Sequence, residues 1–282
     1  MITGSVVTVR VAAAQFSSVL DKAENRRRAT GAIVLAADRG AALVVLPEAA
    51  MWAFGAPGSD LAPHAEPLDG PFVTALVDAA TATSTTVVAG MFEATADGVY
   101  NTVVVVSAAG VAGRYRKVHL FDALGWRESD QLRAGDPDAS NLVVCPLGDL
   151  ALGVMTCYDV RFPELARVLV DAGATVLAVP AAWVAGPRKA DQWGDLLRGR
   201  AIENTAYVVA AAQPGPQYSG HSMAIDPLGE PIVVLDADAE GDGGTGALAI
   251  ADIEAETVAG IRAKLPVLEH RRFVIRARSS SD

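Results

Sequence analysis

The chain has 282 residues, of which 23 are Lys or Arg and 33 are Asp or Glu, so its formal net charge is −10. This acidic balance disfavours binding to nucleic acid or to an anionic membrane, because both need a basic protein surface. No apolar run reaches the roughly 20 residues of a membrane-spanning helix, and two cysteines are too few for a disulfide framework. We therefore expect a globular, cytoplasmic protein. Neither zinc-ligand spacing nor a glycine-rich phosphate loop occurs, which predicts no metal and no cofactor.

Strand and helix signals alternate along the chain. Apolar and β-branched runs predict strands over residues 6–14, 42–46, 86–92, 102–107, 111–115, 150–156, 175–179, 206–212, 221–225, 231–235 and 247–251. Helical periodicity and prolines at first turns predict helices over 26–39, 71–83, 163–172, 190–204 and 254–264. This order predicts an α/β fold with mixed sheets covered by helices. The polar stretch 236–246 is interpreted as a surface loop inside one domain, because strand signals resume directly after it.

Cys157 stands just past the predicted strand 150–156 and before the predicted helix at 163. In open α/β sheets reactive groups collect at the carboxyl ends of strands, and a strand-to-loop turn presents a side chain beside backbone N–H groups. The alternative is a small core residue, which is what most free cysteines are. Cys145, inside an apolar stretch, is interpreted as structural.

Two charged residues follow strands in the same way. Glu48 comes after the strand 42–46 and Pro47, where an acid at the edge of a core costs free energy unless it is paired or used. Lys117 is one of four lysines in a chain that otherwise uses Arg. Taken alone, each is better explained as a solvated surface charge. Together, an acid, an ammonium and a thiol at three strand ends match the base, oxyanion stabiliser and nucleophile of covalent acyl transfer.

These residues stand in blocks that resemble the nitrilase superfamily of carbon–nitrogen hydrolases, which use a Glu-Lys-Cys triad. The matching blocks are residues 46–48, 115–121 and 156–165, with weaker matches at 126–129, 220–222 and 226–230. The resemblance covers about residues 6–275 and implies one carbon–nitrogen hydrolase domain over 1–282. It further implies a four-layer αββα sandwich with two mixed β-sheets, and at least a homodimer, because members of the superfamily usually pair through helices.

The resemblance also implies a role for each site residue. Cys157 would be the nucleophile and Glu48 the general base. Lys117 would stabilise the tetrahedral oxyanion together with the backbone N–H of Tyr158. Glu128 would position the substrate amide and Lys117. The implied reaction cleaves a linear carboxamide to a carboxylic acid and ammonia through a cysteine thioester.

The residues that follow Cys157 narrow the range of substrate classes that the resemblance implies. Nitrile-hydrolysing members carry Trp-Glu there and carbamoylases carry paired Arg, whereas this chain has Tyr158-Asp159 and a single Arg161 after Val160. The blocks look most like the Nit-type group, which acts on ω-amides of 2-oxo acids and on deaminated glutathione. Nitrile hydrolysis, N-carbamoyl hydrolysis, a catalytically silent interaction module and a redox thiol protein remain the alternatives.

Three residues are assigned to substrate binding, namely Tyr158, Arg161 and Trp183. Arg161 stands four residues after the nucleophile, where its guanidinium would bind a substrate carboxylate through two hydrogen bonds. The alternative for Arg161 is an internal ion pair with Asp159 or Glu164 that holds the turn in shape. The expected partner is therefore a small amide that carries a carboxylate.

Overall fold

Two six-stranded β-sheets lie at the centre of the computed structural model, which describes residues 7–239, 241 and 244–276. In chain order the strands are β1 (Thr8–Gln15), β2 (Leu43–Val45), β3 (Thr86–Thr95), β4 (Gly98–Ser107), β5 (Gly110–Arg116), β6 (Val144–Leu147), β7 (Leu150–Val154), β8 (Val176–Ala181), β9 (Tyr207–Ala212), β10 (Met223–Ile225), β11 (Pro231–Val234) and β12 (Ala247–Glu254). The α-helices are α1 (Lys22–Asp38), α2 (Pro71–Thr83), α3 (Pro163–Asp171), α4 (Lys189–Asn204) and α5 (Ala255–Lys264). None of the helices in this part of the chain is long and apolar enough to cross a membrane.

Both sheets are mixed. The first has the order β12-β1-β2-β3-β4-β5 and the second β11-β10-β9-β8-β7-β6. In the first sheet β2 pairs in parallel with β1 and β3, and in the second β8 pairs in parallel with β7 and β9, while the remaining neighbours are antiparallel. The carboxyl ends of β2, β7 and β8 therefore offer the strand-end positions that the sequence predicts for reactive groups.

Successive side chains of a strand point to opposite faces of its sheet, and this alternation accounts for the layers of the fold. On β1, Val11 and Ala13 face the core between the two sheets, whereas Ala12 and Ala14 face the cluster that contains Ile33 of α1. Because both faces of the strand are buried, its sequence is a continuous apolar run. Helices α1 and α2 cover the first sheet, and α3 and α4 pack on the second. The predicted α/β fold with two mixed sheets and outer helices is confirmed.

Several element boundaries differ from the predicted ones. Strand β6 was not predicted, since Pro146 interrupts its short apolar run; β6 is the edge of its sheet, where a proline is tolerated. The predicted first strand began at residue 6, which lies outside the described residues, and so do residues 240, 242 and 243 of the predicted loop 236–246. Helix α2 spans the predicted residues 71–83, with Pro71 in its first turn.

Candidate active site

The predicted catalytic side chains come together in one cavity. Glu48 lies three residues beyond the end of β2, Lys117 directly follows β5, and Cys157 lies three residues beyond β7. Glu128 begins a 3-10 turn, Glu128–Asp130, in the connection between β5 and β6. All four line a cavity of about 210 Å³. Since β2 and β5 belong to one sheet and β7 to the other, the cavity depends on the packing of both sheets.

Lys117 joins the two glutamates. Its Nζ donates to Glu48 Oε1 at 2.9 Å and to Glu128 Oε2 at 2.8 Å. Lys117 and Glu48 are each only 1% exposed. The amide of Asn101, on β4, donates from Nδ2 to Glu48 Oε1 and to Glu128 Oε1, each at 2.8 Å. Buried charges persist only when paired and hydrogen-bonded, and Asn101 and Lys117 together meet this condition for both carboxylates.

The second oxygen of Glu48 is also fixed. The backbone N–H of Ala182, just after β8, donates to Glu48 Oε2 at 2.8 Å. The backbone of Glu48 is held as well, because Gln213 Nε2 donates to the backbone oxygen of Glu48 at 2.7 Å. Glu48 is therefore held by groups from both sheets, which fixes its carboxylate beside the thiol of Cys157.

The ion pairs set the charge state of the site. Burial alone would raise the pKa of Glu48, but the charge and hydrogen bond of Lys117, with hydrogen bonds from Cys157 and Asn101, hold that pKa below its ordinary value. Burial would lower the pKa of Lys117, but the charges of Glu128 and Glu48 raise it well above its ordinary value. Glu48 is thus a carboxylate and Lys117 an ammonium at neutral pH.

Cys157 lies on a constrained turn and is a thiol at rest. It begins the 3-10 turn Cys157–Arg161 with a φ of 47°, in the left-handed region that residues other than glycine seldom adopt. Burial and the negative charge of Glu48 raise the pKa of Cys157 well above its ordinary value, although Lys117 opposes them. The proton therefore stays on sulfur until a base removes it, and the carboxylate hydrogen-bonded to this thiol is that of Glu48.

This arrangement predicts how the thiol titrates. In the native protein, alkylation of Cys157 by iodoacetamide is expected to keep accelerating from pH 7 to pH 9 without a plateau, since its pKa lies above that range. In Glu48→Gln the pKa of Cys157 is expected to fall, because the carboxylate charge that raises it is gone while Lys117 remains. Peptide mass spectrometry would follow alkylation at Cys157 separately from Cys145. An unchanged or raised titration midpoint in Glu48→Gln contradicts this electrostatic account.

A second polar cluster lies behind the turn that begins at Cys157. Asp159 is fully buried, and its Oδ2 accepts hydrogen bonds from Tyr115 Oη at 2.7 Å and from Thr156 N at 3.0 Å. Its Oδ1 lies 2.8 Å from His119 Nδ1. Tyr115 and His119 flank Lys117 in sequence, so Asp159 ties the turn that carries Cys157 to the strand end that carries Lys117. Sequence analysis did not assign Asp159, Tyr115 or His119, although the alternation of Tyr115, Lys117 and His119 was a usable signal.

Tyr115→Phe tests this connection. The change removes one buried hydrogen bond to a carboxylate, which is expected to lower the free energy of unfolding by about 1.5–3 kcal/mol. It is also expected to reduce kcat, because the turn that carries Cys157 loses its hydrogen bond to Tyr115 at the end of β5. Urea unfolding and steady-state kinetics measure the two effects. A variant with native stability and native kcat shows that the cluster does not position the turn.

Comparison with known proteins identifies the family. A carbon–nitrogen hydrolase family model matches residues 10–263. The chain belongs to the carbon–nitrogen hydrolase family. It is 39% identical over 279 residues to a deaminated glutathione amidase of Synechocystis, covering 93% of this chain and 98% of that protein. A hydrolase of Mycobacterium tuberculosis is 36% identical over 281 residues, covering 93% of this chain and 95% of that protein.

A solved structure supports the same assignment. The CN-hydrolase superfamily protein XC1258 of Xanthomonas campestris superimposes with a TM-score of 0.83 at 27% identity, covering 96% of this chain and all of that one. That protein carries an arsenic adduct in its active site. The resemblance to this superfamily, inferred from the sequence blocks, is confirmed.

The residues predicted to bind substrate lie in different places. Tyr158 and Trp183 line the cavity of this carbon–nitrogen hydrolase, but Arg161 is not among the lining residues. The Arg161 guanidinium donates to Gln192 Oε1 at 2.7 Å and lies 4.9 Å from the centroid of the Trp183 ring. Within the described residues Arg161 forms an ion pair with neither Asp159 nor Glu164, so the alternative interpretation of Arg161 is not what the structure contains. Its role in substrate binding stays a prediction.

Sequence analysis missed many of the residues that line the cavity, among them a lysine and a tyrosine. Lys189, the first residue of α4, and Tyr218, in the connection between β9 and β10, both line the cavity. Burial, together with the negative charge of Glu48, raises the pKa of Tyr218, so its hydroxyl stays protonated in the cavity that contains Cys157. A lysine at a helix start and a tyrosine in a Gly/Pro-rich loop carry no sequence signal for a cavity. Across the described ranges no group of three His, Cys, Asp or Glu side chains is placed to hold a metal ion.

Proposed function

We propose that the chain hydrolyses small linear carboxamides through a thioester on Cys157, with Glu48 as general base, Lys117 as oxyanion stabiliser and Glu128 as positioning residue. The observation that carries the proposal is that Lys117 bridges two buried glutamates in the cavity that holds Cys157. Nucleophile, base and oxyanion stabiliser are the three parts that acyl transfer needs.

Acylation begins when the sulfur of Cys157 attacks the amide carbonyl carbon and Glu48 accepts the thiol proton. The negative charge that develops on the carbonyl oxygen is stabilised by Lys117 and by the backbone N–H of Tyr158. Glu48 then gives its proton to the nitrogen, the C–N bond breaks, and ammonia leaves. Glu128 keeps Lys117 charged and in place throughout this step.

Deacylation repeats the same proton transfers with water. Glu48 removes a proton from water, whose oxygen attacks the thioester carbon, and Lys117 again faces the oxyanion. The C–S bond then breaks, the proton returns from Glu48 to sulfur, and the carboxylic acid departs. One water is consumed, and the free thiol of Cys157 is restored.

The proposed substrates are amides that also carry a carboxylate. Relatives with 39% identity are named deaminated glutathione amidase, and a cavity of about 210 Å³ suits a small molecule. A screen of glutaramate, pentanamide, pentanenitrile and an N-carbamoyl amino acid for ammonia release, with deaminated glutathione followed by chromatography, tests the proposal. Amide turnover with an inert nitrile and an inert carbamoyl compound is expected. Turnover confined to the nitrile or to the carbamoyl compound overturns the proposal.

The proposal includes a cytoplasmic homodimer. Phe273 and Val274 are 89% and 84% exposed in the single chain, and a second copy would remove these apolar side chains from water. Both cysteines are free, which fits a reducing compartment. Sedimentation equilibrium of the native protein and of Phe273→Ser tests the dimer, and cell fractionation tests the compartment. A native monomer contradicts the first, and enrichment outside the cytoplasm contradicts the second.

A further inference from the structure

Lys189 is a buried cation for which the described part of the chain supplies no ion-pair partner. The residue is 7% exposed, although lysine is almost never fully buried unless it is paired. Lys22 pairs with Glu66, Lys117 pairs with Glu48 and Glu128, and Lys264 is exposed. Within the described residues, no carboxylate and no hydrogen-bond acceptor contacts the Lys189 ammonium. It lines the cavity that contains Cys157.

The surroundings of the ammonium are aromatic and cationic. Lys189 Nζ lies 4.6 Å from the centroid of the Trp183 ring and 5.6 Å from that of Phe121. The indole Nε1 of Trp183 donates to the backbone oxygen of Lys189 at 2.8 Å, which fixes the ring relative to the helix start. The Arg161 guanidinium lies 4.9 Å from the centroid of the same indole. Two cations therefore flank one ring, and no described acid contacts either of them.

A charge in this position favours an anion from outside the protein. Aromatic faces attract the ammonium, but they do not neutralise it, and burial together with the nearby charge of Arg161 lowers the pKa of Lys189. Of the three acids that line the cavity, Glu48 and Glu128 are bound to Lys117 and Asn101, and Asp130 pairs with Arg127. An anionic group that enters the cavity would meet an ammonium that no described carboxylate neutralises, and it would not have to displace an existing partner.

We propose that Lys189 is the specificity-determining residue of this hydrolase and binds the carboxylate of the amide substrate while the amide carbonyl lies at Cys157. The proposal rests on the amidase function proposed above. It assigns carboxylate recognition to the start of α4, with Arg161 outside the cavity as a positioning residue that holds Trp183. The resulting substrate is a linear amide with a carboxylate at its far end and an apolar chain between them, lying along Trp183 and Phe121.

Selectivity between two amides of equal length tests the assignment. Lys189→Met keeps an unbranched side chain against the aromatic rings and removes the charge. The ratio of kcat/KM for glutaramate to kcat/KM for pentanamide is expected to fall about 10²-fold in Lys189→Met, because a charge-assisted contact is lost for the acidic substrate alone. Lys189→Arg is expected to retain part of the ratio. Lys264→Met, an exposed lysine on α5, is the matched control and is expected to keep the native ratio.

Two results would overturn the assignment. One is a native glutaramate/pentanamide ratio in Lys189→Met, with both rates lowered together and a lower Tm, which makes Lys189 a structural residue. The other is a ratio that collapses in Arg161→Gln but not in Lys189→Met, which makes Arg161 the anion-binding residue.

A binding measurement distinguishes a failure of this proposal from a failure of the proposed reaction. Calorimetric titration of glutaramate into Cys157→Ala requires no turnover. Binding that weakens about 10²-fold when Lys189→Met is added supports anion recognition by Lys189, whether or not the native protein hydrolyses the compound. Equal binding by the two proteins, or preference for pentanamide over glutaramate in Cys157→Ala, contradicts it.

Discussion

Cys157→Ala is expected to lower kcat by roughly 10⁴-fold or more, because the sulfur that forms the acyl bond is removed and no other described nucleophile shares the position. Folding is expected to be retained. Alanine replaces a small buried side chain, and both residues bear a similar cost at the φ of 47° that this turn requires.

Cys145→Ala is the matched control for this variant. Cys145 is the other buried free cysteine, on β6 and away from the cavity lining. Its replacement is expected to leave kcat at the native value. Appreciable amide turnover by Cys157→Ala, with Cys145→Ala inactive, would show that the chemistry takes place elsewhere.

Lys117→Met is expected to reduce both activity and stability. Removing the ammonium takes away an oxyanion donor, which typically costs about 10²–10³ in rate. It also leaves Glu48 and Glu128 buried, close together and without their cation, and breaking a buried ion pair in this way costs about 3–5 kcal/mol of unfolding free energy. Lys22→Met is expected to cost less unfolding free energy and to leave kcat unchanged, because Lys22 is partly exposed and Glu66 keeps a hydrogen bond from the backbone N–H of Phe72.

The pH dependence of Lys117→Met stability follows from the same charges. Without Lys117, burial and mutual repulsion raise the pKa of a carboxylate in the folded variant above its unfolded value. A carboxylate whose pKa is raised in the folded state stabilises the fold below its unfolded pKa, and this stabilisation is lost as pH rises. The loss of unfolding free energy in Lys117→Met, relative to the native protein, is therefore expected to shrink as pH falls towards 5. Urea unfolding at pH 5 and pH 8 measures the difference. A deficit that is equal or larger at pH 5 contradicts the ion-pair account.

Cys157, Glu48 and Lys117 could be singled out from the sequence because each follows an apolar strand within a short local block. Asn101 was not predicted, because an asparagine in the middle of β4 resembles an ordinary strand residue. Its role depends on Glu48 and Glu128, which contact it from distant parts of the chain. Lys189 was missed for a related reason. A lysine at a helix start is usually solvated, and the packing of Trp183 and Phe121 around its ammonium depends on the tertiary fold.

The elements of the fold were easier to predict than their arrangement. Apolar runs indicated β1 and β12, but not that they pair antiparallel along their whole length, because that register joins the two ends of the chain. The packing of two sheets came from the family resemblance rather than from periodicity. The position of Arg161, outside the cavity and against the indole, could not be inferred from its spacing to Cys157, since side-chain direction on a short turn is set by its neighbours.

The most direct test of the account is the detection of the acyl-enzyme. Native protein would be mixed with glutaramate, quenched in acid within the first turnovers, digested and analysed by mass spectrometry. The account predicts one glutaryl group on the peptide that contains Cys157, and none in Cys157→Ala treated in the same way. Sustained ammonia release from the native protein with no acyl group on Cys157, or with the group on another residue, would contradict it.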